Sequence, residues 1–592
     1  MKKYIWLILL LIASTSCVKD HDIIVVKSQN MQKVTRIEPA DSISDGQMIL
    51  GEQLANPYAL EVMEEARLTL MEVTPGLVIP EISTSHYYVR FAPSSSDELN
   101  RLHLQDTSIV FYEYPLDREI ISGVSYHDPT IVDSLPTFQY ASIEAEKWEN
   151  MCDTLSVAYT VLEELYIPED DVVDDIEGGS DLETMSLSPI QPIGMSAIVA
   201  EALVDEAMKI TGHYNEVIGV NLNDNNASVN STNTTIWTPS GNISAYDDIV
   251  QDYVPIVGVR VRATRWFTTR KGVTDSNGDF VCDGTFRRPA RYTVVWEGEN
   301  TQNSKWNIRD GAICQAYYRG PKQREDWDLL IQDNGLKSLR FATIHRAAYR
   351  MLCGNTGGVS RPGWRKTQIA YLHKNHPKKS GDYWLELGMN IFPDIRVYGK
   401  YENGTCYTTD VIYNTVSHEL GHSSHWYNAS ANMLLAYIVE GLKYSESWAD
   451  CVGWYLTELE YTELGACSSL YQYVYMNEEY WMMPNYLNNQ GWAINSTTDY
   501  TPLFIDILDD YNQYEYAQAC NNATNSWIKP YDLSLIPNDE VDFITMSRLN
   551  TQVMNSYQFS DVKAKLLSFY STLTYEGKDK IAKLQALFSY YE

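Results

Sequence analysis

Five residues carry the chemistry open to this chain: His418, Glu419, His422, Glu446 and Asp450. They come in two clusters, His418-Glu-Leu-Gly-His422 and Glu446-Ser-Trp-Ala-Asp450. On a helix, residues four apart share a face, so His418 and His422 aim two imidazoles at one point. Glu419 projects beside them, where a carboxylate can take a proton from an attacking water. That is the arrangement of a zinc hydrolase: neutral imidazole ligands, a carboxylate base and one open corner on the ion (Zn2+). Tetrahedral zinc needs a third protein ligand, and Glu446 can supply it. Asp450, four residues on and on the same face, can accept a hydrogen bond from the far nitrogen of a ligand histidine, His418 being the expected partner. His425, three residues past His422, is an alternative third ligand.

Both clusters require helices to position them. Val411, Ile412 and Val416 place apolar residues ahead of the first cluster, so one side of that helix faces a core. Gly421 permits close packing beside the motif. A helix with two surface histidines is the bland rival; a structural cell-envelope protein with an incidental motif would show no bound metal and no shared point for His418, His422 and Glu446.

The two clusters, with Glu446 lying 24 residues after His422, resemble the gluzincin metallopeptidases, the thermolysin-like clan. Met389-Asn-Ile-Phe-Pro-Asp-Ile-Arg-Val-Tyr398-Gly399 is similar to that family's edge strand, and the resemblance spans residues 336–456. It implies a zincin-like domain and a zinc endopeptidase, with His418, His422 and Glu446 as ligands and Glu419 as general base. The family's transition-state Tyr and His find no match. Tyr427, Tyr437 and Tyr444 lie between the ligands, and nothing selects among them.

The chain has 592 residues, too many for one core, and 44% of them are hydrophobic, which marks a folded protein. A net charge of −33 repels phosphate backbones and argues against nucleic-acid binding. Met1-Lys2-Lys3 followed by the apolar run Tyr4 to Ile12 reads as a signal peptide, too short to span a bilayer. Ala13-Ser-Thr-Ser16 ahead of Cys17 resembles a bacterial lipoprotein cleavage site, with Cys17 lipidated and the protein held to the membrane by acyl chains. Lys19-Asp20 and Asp22 are similar to surface-export signals of Bacteroidota lipoproteins. The expected location is therefore the bacterial outer membrane, facing the periplasm or the cell surface. The other eight cysteines are scattered without a Cys-x-x-Cys, so a cysteine zinc site is not expected.

The expected fold class is multidomain α+β. Residues 1–16 are the signal peptide and 17–50 a tether. Residues 51–167 form an N-terminal α+β module. Within it, Asn56-Pro57 opens a helix, Ser95-x-x-Glu98 caps another, and Met151 to Leu165 is a third. His86 to Phe91 and Ser108 to Tyr114 read as strands. Residues 168–235 are an acidic and polar linker with a helix over 195–218. Residues 236–299 alternate as a small β-sandwich resembling the carboxypeptidase regulatory-like domain, with Asn277-Gly278 as a turn. Residues 300–456 are the zincin-like upper lobe. It holds a helix over Leu336–Cys353, strands at 367–373 and 391–398, and the motif helix 408–427. Residues 457–592 are a mainly helical lower lobe, with helical periods over Tyr500–Asp510 and Val562–Tyr591. A peptide or protein is the expected substrate, pairing with strand 395–398. The rival class is a surface binding protein or adhesin whose β domains hold a glycan or protein and whose zincin domain is vestigial.

Overall fold

Two helices and a mixed sheet hold the site, and everything else packs around them. The computed structural model describes residues 46–168, 197–219, 236–299, 305–383, 394–466, 475–480 and 500–591, short breaks inside these spans excepted. The signal peptide, Cys17, nearly all of the tether, the acidic stretch 169–196, the polar run 221–235 and most of the aromatic-rich segment 468–499 lie outside the described residues. The chain is a multidomain α+β protein.

In the N-terminal module, strand His86–Ala92 runs between Gln139–Glu144 and Ala158–Leu165, antiparallel to both. Ser95 caps the helix Ser96–Gln105 as its spacing predicts: its Oγ accepts the Glu98 N–H at 3.2 Å, and the Glu98 carboxylate reaches back to the Ser94 N–H at 2.7 Å. Three local expectations are corrected. The helix expected over Met151–Leu165 is helix only for Ala145–Met151; Ala158–Leu165 is a strand. There Tyr159, Thr160 and Val161 favour the extended form, and the ladder with His86–Ala92 outweighs the 3.6-residue spacing of Leu155, Tyr159 and Leu162. Asn56 makes a tight turn, its Oδ1 taking the Tyr58 N–H at 2.8 Å, and the helix begins only at Leu60. Ser108–Tyr114 contributes an isolated bridge, Tyr112 to Tyr140, rather than a strand. The helix Ala197–Ile210 buries Leu203, Ala207 and Met208 against Met63, Ala66 and Leu70, so it belongs to this module's core.

The sandwich has two sheets. Ser240–Asp247 pairs with Asp252–Pro255, Asp279–Val281 and Leu329–Ile331; Arg260–Arg265 and Ala290–Val295 pair with each other and with Thr268–Val273 and Tyr317–Gln323. Two of these strands, Tyr317–Gln323 and Leu329–Ile331, come from beyond residue 299. Gly278 has φ +81, and the Asp275 carboxylate takes the N–H groups of Asn277 and Asp279, which is a turn.

The sheet under the site runs Glu297–Glu299, Lys305–Asp310, Lys366–Asn375, Ile395–Lys400, Gly381–Tyr383. Lys305–Asp310, Lys366–Asn375 and Ile395–Lys400 are mutually parallel, and Gly381–Tyr383 runs antiparallel at the outer edge. This corrects the expected edge strand: Ile395–Lys400 is interior, flanked on both sides, with Ile395 and Val397 fully buried. The helix Lys337–Leu352 packs against this sheet. Its His345 is a packed residue, one ring nitrogen on the Val257 carbonyl at 2.9 Å and the other accepting from the Trp306 indole at 3.4 Å. In the C-terminal part, helices span Leu503–Asp506, Met546–Met554, Phe559–Ser571 and Gly577–Tyr591, so the helix expected over Tyr500–Asp510 is a single turn. One continuous apolar core runs from Ile243 in the sandwich through Val416 and Trp448 to Phe588.

Candidate metal centre

The motif helix spans Thr409–Val439 and breaks at Ala429, where φ is −148 and ψ 36. From Thr409 to His425 every side chain is buried, polar ones included. A short turn with Gly441 at φ +65 reverses the chain into the helix Lys443–Glu463, which carries Glu446 in its first turn. Two glycines let these helices touch. A Cβ on Gly421 would meet Ala449 Cα at 3.2 Å and Val452 Cβ at 3.1 Å, and one on Gly453 would meet His418 N at 3.2 Å. The close approach brings a carboxylate from the second helix to the imidazoles of the first.

His418, His422 and Glu446 converge, their ligand atoms all within 4.8 Å of one another. Glu446 Oε2 lies 3.5 Å from His418 Nε2 and 3.4 Å from His422 Nε2. Ligands at zinc's bond lengths on tetrahedral corners are roughly 3.3 Å apart, so the two Glu446–imidazole spacings and the donor types fit such an ion. Asp450 sits where its spacing places it, Oδ1 at 2.8 Å from His418 Nδ1. That bond leaves Nε2 for the shared point. Ser445 Oγ lies 3.4 Å from His422 Nδ1 and receives the Tyr437 O–H at 3.4 Å.

The local field favours positive charge. Burial opposes a charge on His418, but the Asp450 carboxylate, then Glu446 and Glu419, outweigh it and hold its pKa up to about 10. Burial would raise Glu446, yet His422 and His418 hold it well below the usual carboxylate range. A dication between these groups meets the same field. Glu419 is pushed up to about 7, burial outweighing the two histidines. Its Oε2 is buried without a hydrogen-bond partner.

His425 is not part of the cluster. It is buried beside Tyr444, ring centroids 5.9 Å apart, and neither ring nitrogen has a hydrogen-bond partner. Burial, with His422 nearby, pushes its pKa down to about 3. Among the three candidate tyrosines, Tyr444 donates to the Val553 carbonyl at 3.1 Å and Tyr427 is partly exposed, while Tyr437 reaches the cluster through Ser445. Sequence reasoning missed the strand Gly381–Tyr383. Tyr383 stacks on His422 with ring centroids 6.0 Å apart and planes 17° from parallel, and Gly381 abuts Glu419. No local pattern ties three residues at 381–383 to a helix that begins at Thr409.

Neither the family models nor the curated proteins searched match this chain.

Proposed function

We propose that the protein is a zinc-dependent peptidase, held to the bacterial outer membrane by lipid on Cys17. The observation that carries the reading is the convergence of His418, His422 and Glu446 beside a buried carboxylate that ligates nothing. His418, His422 and Glu446 would hold the ion. When bound, zinc supplies Lewis acidity, lowering the pKa of a water towards ~7 and polarising a carbonyl.

The chain's own groups do the rest. Asp450, which only accepts, fixes the tautomer and ring plane of His418, and Ser445 Oγ beside Nδ1 helps hold the ring of His422 in place. Glu419 takes the proton from the attacking water, holds it on a carboxylate oxygen, and returns it to the leaving amine. An extended peptide would add to the sheet at Gly381–Tyr383, the outer edge among the described residues, rather than at the interior strand Ile395–Lys400.

The test is digestion of a peptide library by the zinc-loaded chain and by Glu419→Gln. Cleavage by the wild type and its loss in the variant, with zinc retained, is expected. Equal cleavage by both, or none by either, contradicts the reading, and the second outcome favours a surface binding protein with a vestigial zincin domain. For the anchor, Cys17→Ala should move the protein from the membrane fraction to the soluble one; unchanged partition would contradict lipidation.

A further inference from the structure

Successive turns of the motif helix meet one short strand. Thr415 Oγ1 donates to Ser380 Oγ at 2.9 Å, Gly381 abuts Glu419, and Tyr383 stacks on His422. Alternate residues of a strand face the same side. Gly381 and Tyr383 therefore face the helix, while the Asp382 carboxylate between them accepts the Tyr398 O–H at 3.1 Å.

At Gly381 the space is already taken. A Cβ there would fall inside contact distance of Glu419 Oε1, 3.1 Å from Glu419 Cδ and 2.7 Å from Thr415 Cγ2. Gly381 does not have a positive φ, so the backbone itself would accept any residue. A side chain there is opposed by space alone, and Glu419 or Thr415 would have to give way. No hydrogen bond among the described residues holds the Glu419 carboxylate, and its Oε2 is an orphan in a buried place. What fixes this side chain is the surface it lies on.

We propose that Gly381 is a positioning residue for Glu419. Lacking a side chain, it lets the carboxylate rest on the edge strand, facing the reacting water; any side chain at 381 swings the carboxylate off that seat. The role rests on the peptidase reading, but the contact does not.

The experiment is a cycle on the full chain built on Thr415→Ser, which removes the second obstructing methyl and keeps the hydroxyl for Ser380. It compares T415S alone, with G381A, with E419A, and with both. Thermal melting after chelation reads the contact. G381A is expected to lower the melting temperature by several degrees when Glu419 is present, and by less than half as much when it is Ala. Recovery of a folded protein only when E419A accompanies G381A counts as the same coupling. Equal losses in both backgrounds overturn the proposal.

Zinc content and turnover of G381A, on peptides the wild type cleaves, then read the role. We expect kcat to fall about tenfold to a hundredfold, the scale of a roughly 1 Å misplacement, with KM and bound zinc unchanged. Unchanged kcat, or zinc lost in step with kcat, overturns the positioning role. A wild type that cleaves nothing overturns the peptidase reading and the role with it, whatever the melting cycle shows.

Discussion

At the scale of single residues, the site is a balance of buried charges. Glu446, Asp450 and Glu419 place three carboxylates around two imidazoles, and burial raises the cost of every unpaired charge among them. A dication bound there would offset that negative charge, which is consistent with the proposed metal site. The paired histidines and the partner of His418 were legible in the sequence, because helical spacing fixes each cluster locally. Which of Glu446 and His425 joins the cluster was not legible, since both stand at suitable spacings. The structure separates them: His425 is buried beside Tyr444, outside the cluster, with neither ring nitrogen hydrogen-bonded. His425→Ala should therefore keep its zinc, a result that metal analysis of the purified variant checks.

At the scale of elements, the motif helix pays for its burial at its N-terminus. Asp410 in the first turn is buried, with Oδ1 unpartnered. Burial pushes its pKa up from 3.8 to about 6, against hydrogen bonds from Thr408 and Val411 and with repulsion from Asp247 and Asp248. A raised carboxylate pKa means the fold prefers the neutral form. Its contribution is full below about pH 4 and is lost as pH rises through about 6, a swing of about 3 kcal/mol. Asp410→Asn should thus melt above the wild type at pH 8, the gap closing as pH falls to 4; a gap independent of pH would contradict this account. Element boundaries near the site were legible at both ends of the helix Lys337–Leu352 and at the start of the motif helix, which runs past the expected end at 427, across the break at Ala429, to Val439. They were misread where a strand mimicked helical spacing, as at Ala158–Leu165, and where an interior strand was taken for an edge, as at Ile395–Lys400. Both errors have one cause: strand partners lie far off in sequence, and only the assembled sheet reveals them.

At the scale of the molecule, the sandwich is fastened to the helices that carry His418, His422 and Glu446. Arg346 of the helix Lys337–Leu352 bonds Asp247 of the sandwich at 2.7 Å and Glu460 of the Glu446-bearing helix at 2.9 Å. Tyr461 O–H also reaches Asp247, at 2.9 Å, and Tyr413 O–H reaches Glu460, at 3.2 Å. Glu460 is also held by Arg350, so removing the Arg346 cation leaves the buried Asp247 carboxylate without its counter-charge, at a cost of about 3–5 kcal/mol. Arg346→Met should therefore lower the melting temperature of the sandwich and of the domain carrying His418 and Glu446 together, in a single transition. Two separated transitions would contradict the continuous core. The α+β class was legible from alternating patterns; the sharing of strands across residue 299 was not, because Tyr317–Gln323 and Leu329–Ile331 return to the sandwich after Lys305–Asp310 has joined the other sheet.

The central claim is that one ion sits where two helices cross, held by a carboxylate from one and two imidazoles from the other. Zinc stoichiometry of the purified wild type beside Glu446→Ala tests it most directly. One zinc per chain, lost in the variant under mild dialysis, is the result this account predicts. A wild type without zinc, or a variant that holds it as firmly, would contradict it.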